Sequence, residues 1–194
     1  ARSMFDAARV LGQAVRRVYD RDAEALKFAG VEFNISMIFG GQIKGEGMRL
    51  FSVYSAGNFI EATPETPYFQ IGESKYGKPV LDRVLTPETP LDEAAKCALV
   101  SMDSTMKSNL SVGPPLDLVV YEANRFQSDK LVCIDMANPY YRMLHSSWGQ
   151  KLREVFDSLE DPVWDDKHTD TPLKVAQPQN QPLRKISRPE EKLI

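Results

Sequence analysis

The 194-residue sequence predicts an α+β domain, with antiparallel strands segregated from helices rather than alternating with them. Three observations carry this reading. Apolar residues recur first at helical spacing, then alternate over short runs, then return to helical spacing before a second strand pair and a last helix. The strand runs are joined by short glycine-containing turns, as hairpins require. Length favours one substantial domain, and 42% hydrophobic with 26% charged residues is ordinary for a globular protein.

The chain opens with Ser3 and Asp6 in an S-x-x-D capping signature. Met4, Ala8, Leu11, Val15 and Val18 follow at spacings of four and three, with Arg16, Arg17, Asp20 and Arg21 opposite, so a helix is predicted that ends near Gly30. In "FNISMIF", Phe33, Ile35, Met37 and Phe39 alternate with Asn34, Ser36 and Ile38, a strand pattern. "GGQIKGEGM" is a glycine-rich turn, "RLFSVY" the returning strand, and Gly57-Asn58 turns the chain into "FIEAT". Residues 32–63 therefore read as an antiparallel meander. Two helices are predicted next, the first over about 74–85. The second takes Thr89 as cap and Pro90 at its first position, with Asp92 three residues after the cap. Its stripe is Ala95, Ala98, Leu99, Met102 and Met106, running to about Leu110. "LDLVVYE" and "KLVCIDM" form a strand pair joined by "ANRFQSD". Asn138-Pro139 opens the last helix, whose buried side is Leu144, Trp148, Leu152, Val155 and Leu159.

Composition excludes several function classes. A net charge of −3 carries no nucleic-acid footprint. No apolar run approaches the ~18 residues that a membrane-spanning helix needs. Cys97 and Cys133 each lie in an apolar run and read as a reduced, buried pair in a cytoplasmic protein. The chain starts directly at a helix without an initiating Met, so an N-terminal part is expected to precede it. From residue 163 to 194 the composition shifts to proline-rich, weakly periodic sequence, read as an extended or disordered tail after a domain over 1–162, or as an arm on a neighbour.

Few motifs carry chemistry. "GESKYGKP" fits a phosphate-binding loop at Gly72, Gly77 and Lys78, but Pro79 removes the Mg²⁺-binding hydroxyl and one backbone N–H. The strand before it belongs to a meander and the helix after it is short, so no nucleotide or other cofactor is expected. Gly40, Gly41, Gly45 and Gly47 fit a hairpin turn better than a second phosphate cradle. His145 and His168 supply no metal set, and His145 reads as a solvated helix residue rather than half of a nucleophile dyad. Tyr140, Tyr141 and Trp148 read as packing, and Arg16, Arg17 and Arg21 as a solvated helix face. Ser108, Asn109 and Ser111 cluster where a helix gives way, through Gly113, to a strand; on composition alone they are capping hydroxyls.

Longer runs are more specific. "SMFDAARVLGQAVR", "FGGQIKGE", "AGNFIEATPETPYFQIGESKYGKPVLDRV", "AAKCALVSMDSTMKSNLSVGPPLDLVVYE" and "NPYYRMLHSSWGQKLREVF" span residues 3–165. Together they resemble a proteasome-type β-subunit, most closely the bacterial Anbu (ancestral β-subunit) branch. The resemblance implies an N-terminal-nucleophile αββα sandwich, two antiparallel sheets between helix layers, of which this chain holds the part after the opening strands and first helix. It also implies a threonine peptidase in a ring or helical homo-oligomer, acting on peptide substrates; it leaves open whether an ATP-driven unfoldase feeds the assembly.

In such subunits the nucleophile is a Thr at the mature N-terminus, whose own α-amino group is the base. Ala1 has no hydroxyl and Ser3 is not terminal, so the resemblance puts the Thr, and the Lys and Asp beside it, upstream of this sequence. Two supporting elements fall within the chain. "IGESKYG" lines up with a Gly-Ser segment before the third helix of the family; Glu73 stands where Ser is usual, leaving Ser74 as the nearest hydroxyl. "SNLSVG" lines up with Asp-x-x-Ser-Gly at the end of the fourth; Ser111 would be the Ser, Ser108 stands for the Asp, and Val112 separates Ser111 from Gly113. The candidate site residues are therefore Ser74, Ser108 and Ser111, in supporting roles. Two other readings remain: a non-catalytic assembly subunit of the same fold, and a small-molecule amide hydrolase.

Overall fold

A computed structural model describes residues 1–128, 130–162, 164–165 and 183–184. The chain divides into two compact units, Ala1–Trp148 and Gly149–Ile194. The first holds helix α1 (Met4–Phe28), strands β1 (Ser36–Gly41), β2 (Arg49–Tyr54) and β3 (Phe59–Glu61), helices α2 (Lys78–Val84) and α3 (Leu91–Ser108), and strands β4 (Leu116–Val120) and β5 (Lys130–Ile134). Helix α4 (Pro139–Asp157) begins in it. In the second unit, β6 (Trp164–Asp165) and β7 (Leu183–Arg184) form a short parallel pair.

α1 begins where Ser3 accepts the Asp6 N–H at 3.0 Å, as the capping signature requires. The meander follows in the order β1-β2-β3, all antiparallel. Period-two alternation splits its faces. Phe51 and Val53 are fully buried, and Phe51 forms one core under α1 with Met4 and Ala8 of that helix, Phe39 and Phe59. Gly12 lies so close to Gly57 that a Cβ would overlap the Gly57 carbonyl, and Arg16 donates to the Ala56 and Gly57 oxygens at 3.1 and 3.5 Å. Arg16 is thus a clasp between helix and hairpin rather than part of a free solvated face. The opposite sheet face carries Ile38, Tyr54 and Ile60, all more than a third exposed, around the buried Ser52.

A second core joins Leu99 and Val100 of α3, Leu116 of β4, Ile134 of β5, and Tyr141 and Leu144 of α4, with Trp148 packed against it. β4 and β5 pair antiparallel with Leu116 opposite Ile134 and Asp117 opposite Cys133. Cys97 is buried but Cys133 is exposed, which corrects the expectation of a buried pair. The alternation that turns Ile134 toward the helices turns Cys133, with Val119 and Leu131, to the other face. Gln42 and Asn124 exchange hydrogen bonds of 2.9 and 2.7 Å, tying the end of the first sheet to the β4–β5 turn.

Four further expectations change. α2 starts at Lys78, because Ser74–Gly77 is a turn. Pro90, in extended geometry, caps α3, while the Thr89 hydroxyl accepts the Thr86 N–H at 2.9 Å and closes the preceding turn. Leu152, Val155 and Leu159 are about half or more exposed, since periodicity gives a helix an apolar face but not a partner for it. His145 is half-exposed, yet its Nδ1 lies 2.6 Å from the buried Asp103, which also accepts from Tyr141 at 2.9 Å. His168 lies outside the described residues.

Candidate active site

"GESKYGKP" connects the meander to α2, and its two glycines serve different physical needs. Gly72 has φ +75° with open space around it, so the left-handed backbone is what favours glycine there. Gly77 has φ −91° and ψ −27°, which any residue adopts. Its constraint is steric: a Cβ would overlap the Ser101 hydroxyl and lie 2.8 Å from the Ser101 carbonyl oxygen and 2.9 Å from Thr105 Oγ1. The loop is thereby pressed against the middle of α3, whose Ser101 and Thr105 are buried beneath it.

Between these glycines, Ser74 donates its N–H to the Gly72 carbonyl and its carbonyl accepts the Lys78 N–H, each at 2.9 Å. Ser74 lines a cleft of about 460 Å³ together with Ser52, Tyr54 and Ile60, which lie on the face of the first sheet turned away from α1. Lys78 and Asp82 share that cleft, and Lys78 bonds both Asp82 oxygens at 2.6 and 2.9 Å. Tyr68 also donates to Asp82. Hydrogen bonds to Asp82 and then Tyr68 raise the Lys78 pKa, and those to Lys78 and Tyr68 lower that of Asp82. Burial first, then Asp82, raises that of Tyr68. An ammonium held this firmly is a poor base for Ser74. Nor does a phosphate cradle form: Lys78 is committed to a carboxylate, and α2 is only seven residues long.

Ser108 ends α3 and is exposed, and Asn109 is its C-cap. Asn109 Oδ1 accepts both the Ser111 N–H at 2.9 Å and the Ser111 hydroxyl at 2.8 Å. Ser111 is thus oriented by an Asx turn, and no described residue donates to its hydroxyl oxygen. Gly77, the N-cap of α2, packs against α3 and brings the Ser74 loop over the helix that Ser108 ends and Ser111 follows, but no hydrogen bond links Ser74 to either among the described residues. Sequence reasoning missed the Lys78–Asp82–Tyr68 network, although the i, i+4 spacing of Lys78 and Asp82 was readable. It also missed Asp103, hidden as one polar residue on an amphipathic helix. No cluster of described residues could hold a metal ion.

The family model described as proteasome subunit matches residues 6–121. Anbu from Yersinia bercovieri is 52% identical with a TM-score of 0.76, over 83% of this chain and 66% of that one. Anbu from Hyphomicrobium sp. strain MC1 is 50% identical with a TM-score of 0.73, over 83% and 65%. A structure described as the helical assembly of the Anbu complex from Pseudomonas aeruginosa is 43% identical with a TM-score of 0.77, over 82% and 66%. This chain thus spans about two thirds of the length of these relatives. No curated protein matches it. Among the described residues, the four helices and two antiparallel sheets agree with the α+β sandwich expected from the sequence, and the chain belongs to the proteasome subunit family, in its Anbu branch.

Proposed function

We propose that this chain is a subunit of a cytoplasmic, self-assembling threonine peptidase, and that Ser74 and Ser111 support a nucleophile standing upstream of Ala1. What supports this reading most is the 52% identity to Anbu from Yersinia bercovieri together with the proteasome subunit match. The upstream Thr hydroxyl attacks the scissile carbonyl while the Thr α-amino group takes its proton. The oxyanion is held by backbone N–H groups, the peptide amine leaves with a proton, and water then hydrolyses the acyl ester. Ser111, its hydroxyl proton committed to Asn109, accepts a hydrogen bond from the N-terminal amine. Ser108, one turn earlier, lends a second oxygen at the same helix end. Ser74 presents a hydroxyl from the cleft wall beside the nucleophile. Lys78 takes no part, because Asp82 holds it.

Subunits associate into a ring or a helix, as the helical assembly of the Pseudomonas aeruginosa relative suggests for this one. The test uses the protein with its natural N-terminus. Fluorogenic peptides are hydrolysed, and Thr→Ala at the first mature residue reduces hydrolysis to background. A natural N-terminus carrying no Thr, Ser or Cys would replace this reading with the non-catalytic assembly subunit. Sedimentation as a monomer at micromolar concentration would remove the assembly.

A further inference from the structure

Asp103 is a buried ionisable group that the proposed chemistry leaves unused. It lies on α3 five residues before Ser108, the last residue of that helix. Its Oδ1 accepts the Tyr141 hydroxyl at 2.9 Å and lies 2.6 Å from His145 Nδ1. An ionised carboxylate only accepts, so Nδ1 carries the proton and donates. Tyr141 and His145 stand one turn apart on α4, their rings stacked with centroids 6.5 Å apart. Two successive turns of α4 are thereby bonded to one oxygen of α3. Desolvating a carboxylate offsets most of what such bonds contribute, so the arrangement adds little net stability; its best-attested use is to fix register. The apolar contacts among Leu99, Val100 and Leu144 hold the two helices together but have no direction of their own.

What depends on that register is the end of α3. Leu110 is fully exposed, and among the described residues the hydrogen bonds of 109–112 are all local. The Asn109 N–H donates to the Thr105 carbonyl at 2.8 Å, the Val112 N–H to the Asn109 carbonyl at 3.2 Å, and Ser111 to the Asn109 side chain. Ser111 thus takes its place from α3. We propose that Asp103, Tyr141 and His145 are positioning residues: they fix α3 along α4 and so set where Ser111 meets the upstream amine. The inference rests on the role proposed for Ser111, through which all three act.

The test uses the natural-length protein. In the double variant Asp103→Ala, Tyr141→Phe, the buried acceptor and its buried donor go together, so neither is left unpaired; His145, half-exposed, turns to water. Its kcat for peptide hydrolysis should fall about tenfold to a hundredfold with KM unchanged. Its structure should show Ser111 displaced by about 1–2 Å relative to the first sheet. His145→Ala removes one bond at a half-exposed position and should lower kcat about threefold, which keeps the proposal testable if the double variant does not fold. Asp103→Asn retains the one oxygen that both donors use, and should return kcat and the place of Ser111 to those of the parent. Parental kcat in the first two variants, an undisplaced Ser111, or an Asp103→Asn protein as impaired as the double variant would overturn the proposal. A parent without hydrolysis would overturn the peptidase reading alone, since the place of Ser111 is read without activity.

Discussion

Replacing Gly77 by Ala adds one methyl group where α2 meets α3, and its consequence follows from three contacts. The new Cβ would overlap the Ser101 hydroxyl and sit 2.8 Å from the Ser101 carbonyl oxygen and 2.9 Å from Thr105 Oγ1. The Ser101 and Thr105 hydroxyls can rotate away, but the Ser101 carbonyl belongs to the helix backbone and cannot. The loop must therefore lift off α3, and overpacking of this kind costs about 1–3 kcal/mol. Since Gly77 already has right-handed helical torsions, Ala stiffens the unfolded chain without local strain, offsetting about 0.4–1 kcal/mol. The net loss is about 1–2 kcal/mol, which lowers the Tm by roughly 2–8 °C in a chain of this size. Calorimetry of the variant measures this. Gly149→Ala is the control, because nothing lies near its Cβ position on α4, and it should stabilise by about 0.5–1 kcal/mol. A Gly77→Ala protein as stable as the parent would refute the steric argument. Ser101→Ala in the same protein should restore only part of the loss: it removes the overlapping hydroxyl, but the clashing carbonyl remains.

Gly72→Ala should cost about 1–2 kcal/mol through its left-handed backbone alone, with no clash to relieve, as urea unfolding can measure. Tyr141→Phe removes one of two donors from the buried Asp103 carboxylate and should cost about 1.5–3 kcal/mol by the same measurement. Asp82, whose pKa is lowered by its bonds to Lys78 and Tyr68, binds fewer protons folded than unfolded near its ordinary value. The stability this contributes is present above about pH 3.9 and is lost as the pH falls through the lowered value. A Tm-against-pH profile should therefore show a shallower acid limb for Asp82→Asn than for the parent. Under the proposed function, Ser111→Ala should lower kcat for peptide hydrolysis about tenfold or more with little change in KM, because the amine loses an acceptor that matters as it takes the proton.

Much of the fold was legible because its signals are local. Capping at Ser3, alternation through β1 and β2, and the Asn138-Pro139 helix start each depend on neighbours within a few residues. What escaped depends on partners distant in sequence. Alternation marks Cys133 and Ile134 as facing opposite ways but does not say which side has helices. The stripe at Leu152, Val155 and Leu159 continues that of Leu144 and Trp148, yet among the described residues of this stripe it is Leu144 and Trp148 that meet a core. At the candidate site, the hydroxyl cluster at the end of α3 could be read from Ser108, Asn109 and Ser111. Gly77 could not be separated from Gly72 in kind, because the atoms that exclude a side chain there belong to α3.

The central claim is a nucleophile at the first residue of the mature protein, backed by residues of this chain. The most direct measurement is intact-mass and peptide mapping after brief exposure of the natural-length protein to an activated peptide ester. The account predicts a single acyl adduct on the hydroxyl of an N-terminal Thr, formed more slowly in Ser111→Ala and absent when that Thr is Ala. An adduct on Ser74, Ser108 or Ser111, or none at all in protein with an intact N-terminus, would contradict it.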